Sequence, residues 1–142
     1  MAGSYDLILK GGTVVNQDGE GVRDLAIAGG RIAAIGDRDG SLGASAAEAI
    51  DCRGLHVLPG VIDSHVHMRE PGLTHKEDLE SGSRGAVLGG VTAVFEMPNT
   101  EPATTSAAAL ADKVHRAHHR MHCDFAFYIG ATRENSHQLG TL

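Results

Sequence analysis

Hydrophobic and polar residues alternate along the first part of the chain, and a period of two predicts β-strands. The glycine pairs Gly11-Gly12 and Gly29-Gly30 separate neighbouring runs and indicate hairpin turns. Residues 37–50 are rich in alanine, serine and glycine, and this composition predicts a loop. The strands predicted for this part of the chain cover residues 5–9, 13–15, 24–28, 31–36 and 50–58.

Beyond residue 58 the pattern becomes one of strands that alternate with amphipathic helices. Thr74 is the predicted N-cap of the first helix, and Glu77 stands in the capping-box position three residues later. Such alternation predicts right-handed βαβ units and therefore a parallel sheet. The predicted strands begin at Val61 and cover 91–97 and 124–131, and the predicted helices cover 75–88 and 106–121.

The strand that begins at Val61 runs into a polar stretch with strict two-residue spacing: Asp63, His65, His67 and Arg69. These side chains share one face if the strand continues to Arg69. The Cα atoms of the two histidines would then lie about 7 Å apart, so that both rings reach one metal ion. Asp63 would hold a ligand histidine by its second ring N–H, and Arg69 would offer a planar fork to a carboxylate. We therefore predict a metal site with a substrate anchor beside it.

A His-x-His pair by itself is common at solvated strand ends, so its neighbours decide the interpretation. An acid two residues before the pair and an arginine two residues after it favour the metal site. Asn99, which follows the second predicted strand of this part, lies at the same sheet edge because parallel strands end together. From the spacing alone, a simple turn residue after Pro98 is the slightly favoured interpretation of Asn99.

Composition and charge exclude several classes of function. The formal net charge of −6 argues against nucleic acid and anionic membrane surfaces, since both favour a basic face. No apolar run approaches the roughly 20 residues of a membrane span, and the first residues lack a basic and apolar leader. Cys52 and Cys123, without a C-x-x-C motif, suit a reducing compartment, so we expect a cytoplasmic protein.

Between residues 59 and 102 the chain carries, in order, the motifs H-x-H-x-R-E-P-G, K-E-D-x-x-S-G, G-G-V-T and M-P-N-T. Through them it resembles the amidohydrolase superfamily, and more narrowly dihydroorotase of the long bacterial type. The resemblance implies an α/β chain, with residues 1–58 as N-terminal strands of a small β-sandwich. Residues 59–142 would be the first βα units of an incomplete (β/α)8 metallo-hydrolase barrel, about three strands of it. Because such a barrel needs about 250 residues, we expect a truncated or cleaved chain that is inactive alone.

The activity implied by the resemblance is zinc-dependent conversion of dihydroorotate and water to N-carbamoyl-aspartate, a step of pyrimidine biosynthesis. The resemblance implies that His65 and His67 are ligands to one or two zinc ions. It also implies that Arg69 and Asn99 hold the substrate carboxylate. The resemblance places the remaining ligands and the catalytic aspartate beyond Leu142, so we assign no catalytic acid within this segment.

Two alternatives stay open. Allantoinase- or hydantoinase-like cyclic amidases share the H-x-H, but allantoinases usually lack the matching arginine and M-P-N-T, which favours dihydroorotase. A protein of another class would be a non-catalytic, dihydroorotase-like scaffold subunit beside aspartate carbamoyltransferase. Such homologues commonly lose metal ligands, whereas His65 and His67 are both present here. The family also leads us to expect a homo-oligomer.

Overall fold

A computed structural model describes residues 5–37 and 41–140. The chain divides into two compact units between Pro59 and Gly60. The described residues form eight strands and two helices: β1 (Tyr5–Asn16), β2 (Gly19–Ala28), β3 (Arg31–Ile35), β4 (Ala46–Asp51), β5 (His56–Val57), β6 (Val61–Val66), α1 (Leu79–Leu88), β7 (Val91–Glu96), α2 (Ala107–Ala117) and β8 (Asp124–Phe127).

The first unit is a single five-stranded sheet with β1 at its centre. The strand order is β3-β2-β1-β4, and β5 also pairs with β1. The first three strands are antiparallel, whereas β4 and β5 run parallel to β1. Its buried apolar side chains are those of Ile8, Val14, Leu25, Ala26 and Cys52. A second sheet, as a β-sandwich requires, stays a prediction.

Two glycine pairs that look alike in the sequence behave differently in the first unit. Gly29 and Gly30 form the predicted hairpin turn between β2 and β3, with φ angles of 58° and 71°. The turn predicted at Gly11-Gly12 is wrong, because β1 continues through it with an irregular register between Leu9 and Gly12. Asp24 stabilises this irregularity, since its carboxylate accepts the Gly11 N–H at 2.9 Å.

The segment before Pro59 also differs from the prediction. Residues 46–49, predicted to lie in a loop, belong to β4, which pairs in parallel with β1. The strand predicted over 50–58 is interrupted by a turn, in which the Leu55 N–H donates to the Cys52 carbonyl at 2.9 Å. Partners distant in sequence therefore decide where these strands begin and end.

The second unit confirms the predicted alternation of strands and helices. Its strands form a parallel sheet in the order β6-β7-β8. Helix α1 contacts β7, helix α2 contacts β8, and the two helices contact each other. A small core forms between them, with Met68, Leu79, Val94 and Ala117 buried at its centre. Three parallel strands also occur in open sheets, so the barrel stays a prediction.

Helix α1 begins four residues later than predicted, and Thr74 is not its N-cap. The N-cap is Asp78, whose carboxylate accepts the Ser81 N–H at 2.7 Å, while the Ser81 hydroxyl reaches back to the Asp78 N–H. A second carboxylate, that of Glu70, accepts the Leu79 N–H at 3.2 Å. Helix N-termini need acceptors for their free N–H groups, and here these two acids supply them.

Helix α2 begins at Ala107, one residue after the predicted start, and its N-cap is Ser106, whose hydroxyl accepts the Ala109 N–H at 3.2 Å. It ends at Ala117, before the predicted end at residue 121, because His118 leaves the helical conformation with a ψ of 126°; His119 follows with a left-handed φ of 61°. Strand β8 is also shorter than predicted and ends at Phe127. Neither helix in the described part of the chain is long and apolar enough to cross a membrane.

Strand β6 is the most exposed strand of the second unit. Within residues 5–37 and 41–140 it pairs on one side only, with β7. Its apolar side chains Val61 and Ile62 are 53% and 64% exposed. The apolar start of this strand is therefore open to solvent, whereas its far end leads into the polar residues that the sequence marks.

Candidate functional site

Two histidine rings lie side by side at the carboxyl end of β6. His65 is in the strand, and His67 is the first residue after its end at Val66. The ring centroids are 5.2 Å apart, and the planes cross at 61°. The condition that the strand continue to Arg69 is not met: β6 ends at Val66, and Arg69 lies in the loop that follows.

The ring of His67 is fixed by Asn99, which lies in the loop after β7. Nδ1 of His67 is 2.8 Å from Oδ1 of Asn99, across 32 residues of chain. An amide oxygen only accepts hydrogen bonds, so Nδ1 carries the proton and donates it. The other ring nitrogen, Nε2, then has a free lone pair, which is the form in which imidazole binds a cation. The structure thus brings together three of the predicted residues.

Asp63 does not make the contact predicted for it. Its carboxylate was expected to hold the ring N–H of a ligand histidine, but Oδ1 instead accepts the backbone N–H of His65 at 3.1 Å. Aspartate side chains readily accept the backbone N–H group two residues along. This short-range bond competes with a bond to the ring N–H of a histidine. Asp63 therefore supports the main chain of His65.

The guanidinium of Arg69 is half-buried and has no partner of its own. Among residues 5–37 and 41–140 it makes no side-chain hydrogen bond or ion pair. Burial raises the pKa of Glu96, and Arg69 is one of the positive charges that oppose this rise. Five N–H donors in a planar fork are therefore available for an anionic ligand.

Glu70 is a buried acid that sequence analysis left without a role. It is 6% exposed, and its two oxygens accept from the Arg120 guanidinium at 2.7 and 3.0 Å. It also accepts the Leu79 N–H at the start of α1. Burial opposes the ionisation of Glu70, but the bonds from Arg120 and Leu79 outweigh it and lower its pKa. Glu70 thus ties the loop that carries Arg69 to the start of α1 and to the turn that follows α2.

A second buried acid, Glu96, ends β7 and pairs with Lys113 of α2. Both residues are 0% exposed, and Lys113 Nζ lies 3.1 Å from Glu96 Oε2. No other donor in the described part of the chain reaches either carboxylate oxygen. Burial raises the pKa of Glu96 to about 7, with the charge of Lys113 opposing it. The sequence signal was an acid inside the otherwise apolar run at 91–97.

Replacing Glu96 with glutamine should flatten the pH dependence of stability between pH 4.5 and about 7. The unfolded chain releases this proton near 4.5, whereas the folded protein holds it to about 7. The contribution is therefore complete below 4.5 and is lost as the pH rises to about 7. The loss is at most about 3–4 kcal/mol, since one pKa unit is worth about 1.4 kcal/mol.

Urea unfolding at three pH values across this range measures the effect. Glu77→Gln is the matched control, because Glu77 is an exposed acid of the same unit. It should keep the wild-type slope of unfolding free energy against pH. A Glu96→Gln slope equal to that of the wild type would contradict the prediction.

The histidine pair matches part of a metal centre. Zinc prefers imidazole nitrogen, and catalytic zinc sites use three protein ligands and an open position. His65 and His67 supply two such nitrogens. In the described part of the chain, no group of three or more His, Cys, Asp or Glu side chains is arranged to hold a metal ion. The two rings therefore fit as a partial ligand set.

Comparison with protein families gives a match over residues 54–135, with a family described as dihydro-orotase-like. Among curated proteins, the allantoinase of Deinococcus radiodurans is 39% identical over 140 residues, which are 98% of this chain and 31% of that protein. The allantoinase of Escherichia coli (strain K12 / DH10B) is 41% identical over 140 residues, 98% of this chain and 30% of that protein. The chain thus spans about three-tenths of the length of these relatives.

Solved structures of similar fold carry related names. L-hydantoinase (dihydropyrimidinase) from Arthrobacter aurescens matches with a TM-score of 0.84 and 35% identity, over 95% of this chain and 30% of that one. D-hydantoinase from Bacillus sp. AR9 matches with a TM-score of 0.78 and 31% identity, over 96% of this chain and 30% of that one. The described fold therefore corresponds to one portion of these proteins.

Proposed function

Because this chain belongs to the dihydro-orotase-like family of the amidohydrolase superfamily, we propose that it forms the first part of a metal-dependent cyclic amidohydrolase. The observation that carries the proposal is the histidine pair at the end of β6. Asn99 holds His67 in the tautomer whose Nε2 is free, and the ring of His65 lies 5.2 Å away. A cation held by both rings would stand at the carboxyl end of a parallel sheet, where α/β proteins bind their ligands.

The chemistry follows from the type of residue at each position. His65 and His67 would hold a zinc ion, which when bound supplies a Lewis acid and lowers the pKa of a bound water. Arg69 would bind a carboxylate or carbonyl oxygen of the substrate through its planar fork. The side-chain amide of Asn99, whose oxygen is taken by His67, keeps its NH2 group to donate to the same substrate.

We favour cyclic ureides such as allantoin and hydantoin as the substrate class. The relatives described above are named allantoinases and hydantoinases, and they extend over nearly the whole chain. Dihydroorotate is the second candidate, and a specific observation supports it: Arg69 has no partner among the described residues and suits a carboxylate. The sequence motifs favoured this second candidate, and the relatives favour the first.

A hydrolysis assay on the intact protein tests the proposal, with the zinc content measured on the same sample. Allantoin, hydantoin, dihydrouracil and dihydroorotate are offered separately. Hydrolysis of any one of them with bound zinc supports a cyclic amidohydrolase, and the preferred compound identifies the substrate class. Bound zinc without hydrolysis would point to another cyclic amide. Absence of both zinc and hydrolysis would favour the non-catalytic scaffold.

Replacing Arg69 with alanine should separate the two substrate candidates. Loss of a charged fork from a desolvated carboxylate costs about 2–5 kcal/mol, so binding of dihydroorotate should weaken about 30-fold or more. Hydantoin carries no carboxylate, and its binding should change much less. The KM of each substrate is measured, or the inhibition constant of dihydroorotate if it is not hydrolysed. Zinc content should be unchanged, because Arg69 is not a ligand.

Arg84→Ala is the control for this experiment. Arg84 lies on the exposed side of α1, where it pairs with Glu80 at 3.4 Å, away from the histidine pair. Equal losses for dihydroorotate and hydantoin in Arg69→Ala would remove the argument for a carboxylate anchor.

A further inference from the structure

The Glu96–Lys113 pair is costly for the fold, and stability alone does not explain it. Both side chains are fully buried, with an N···O distance of 3.1 Å. Neither Glu96 oxygen has a further donor among the described residues. Burying two charges costs about as much free energy as their attraction returns, and apolar replacements of similar size are often neutral or stabilising. The best-attested use of such pairs is to fix one register among several.

The backbone that this pair could fix is that of Met97, directly after β7. Lys113 Nζ lies 3.5 Å from the Met97 carbonyl, so the lysine contacts the main chain as well as Glu96. On the other side, the Met97 N–H donates to the Val66 carbonyl at 2.9 Å. Met97 stands two residues before Asn99, and Val66 stands one residue before His67. The position of Met97 therefore sets the offset between the segment after β6, which carries His67, and the segment after β7, which carries Asn99.

Strand β8 contacts the end of β7 on the side opposite β6. The Tyr128 N–H donates to the Glu96 carbonyl at 2.9 Å, and Lys113 Nζ lies 5.4 Å from the centre of the Phe127 ring. Lys113 thus contacts the ends of both β7 and β8. A shift of Glu96 along the sheet would break its contact with Lys113 in a site where water cannot replace it.

We propose that Glu96 and Lys113 are positioning residues that fix the carboxyl end of β7 so that Asn99 meets His67. The pair acts through the backbone of Met97 and does not touch the ring itself. The consequence for a bound cation rests on the function proposed above, but the effect on the His67–Asn99 bond does not. Replacing both residues with apolar side chains of the same size would keep the core filled but would no longer fix the offset of β7 against β6.

The test compares the wild type with the double variant Glu96→Met/Lys113→Met in the intact, zinc-free protein. Long-range ¹H–¹⁵N correlation spectra report which nitrogen of the neutral His67 ring carries the proton. Wild-type His67 should be protonated at Nδ1, and Asn99→Ala marks complete loss of the bond. In the double variant, His67 should shift towards a mixture of both tautomers, with the spectrum of the exposed His75 as the reference, and without a large loss of stability. The affinity for zinc, measured by competition with a chelator, should fall roughly 10–100-fold, as for other residues that orient a ligand.

Glu80→Met/Arg84→Met is the matched control, because it removes an exposed ion pair of the same unit. It should leave the His67 tautomer unchanged. If the double variant does not fold, Glu96→Gln/Lys113→Met, which also leaves no unpaired buried charge, replaces it and should give the same shift. A folded variant of either kind that keeps His67 protonated at Nδ1 as in the wild type would overturn the positioning role, whatever the hydrolysis assay shows. A shift of tautomer in a protein without hydrolytic activity would support positioning and contradict only the proposed function.

Discussion

Replacing His65 with alanine should remove the metal ion and the hydrolytic activity together. His65 is one of two imidazoles whose centroids lie 5.2 Å apart, and no third His, Cys, Asp or Glu group joins them in the described part of the chain. Of the described residues, only the ring of His67 then remains to hold the cation. Loss of residues that merely orient a ligand costs about 10–100-fold in metal affinity, so loss of a ligand itself should cost more than about 100-fold.

The measurement is zinc content after dialysis, together with the rate for the best substrate of the wild type. His75→Ala is the control, because His75 is exposed and makes no hydrogen bond among the residues that the structure describes. It should keep both zinc and activity. Full zinc retention in His65→Ala would contradict the assignment of this histidine as a ligand, even if activity were lost.

Replacing Glu70 with alanine should lower the free energy of unfolding by about 3 kcal/mol, the lower end of the range for a broken buried ion pair. The carboxylate is 6% exposed and receives bonds from Arg120 and from the Leu79 N–H. Its removal leaves a free donor at the start of α1 and an unpaired guanidinium. Because the Arg120 side chain is 39% exposed, water can hydrate it, which keeps the cost at this lower end.

Urea unfolding at neutral pH measures how much unfolding free energy is lost. The same measurement at acidic pH gives the sign of the pH dependence of that loss. The pKa of Glu70 is lowered below its usual 4.5, so its contribution is present above that value and is lost as the pH falls through the folded pKa. Glu70→Ala should therefore converge on the wild type in acid. Glu77→Ala removes an exposed acid and should change stability by less than about 0.5 kcal/mol. A Glu70 variant as stable as that control would show that the acid does not tie the loop to α1 and the turn that follows α2.

Local patterns were enough to predict the site residues as candidates and the order of the strands and helices after residue 59. His65 and His67 stand two apart after an apolar run, and the alternation of strands and helices gave the parallel sheet. The contact between His67 and Asn99 was not predictable in detail. It depends on the offset between β6 and β7, which long-range packing sets.

The buried acids were missed because their partners are distant in sequence. Glu70 and Arg120 are 50 residues apart, and nothing near Glu70 indicates that it is buried. Lys113 gave a weak signal, since it precedes the buried Ala117 by four residues and so lies on the same helix face. The start of α1 was misplaced for a different reason. Thr74 and Asp78 are both acceptable N-caps locally, and the carboxylate of Glu70, nine residues before Leu79, accepts the first N–H of the helix that begins after Asp78.

The exposed strand β6 has a consequence for the behaviour of the protein at high concentration. Its outer edge offers unpaired backbone N–H and C=O groups within the described residues, and beside them Val61 and Ile62 are largely exposed. An apolar strand edge of this kind is a template on which another strand can add. We expect preparations in which this edge stays uncovered to aggregate by strand addition. A lysine in place of Ile62 would introduce charge at the point where aggregation begins.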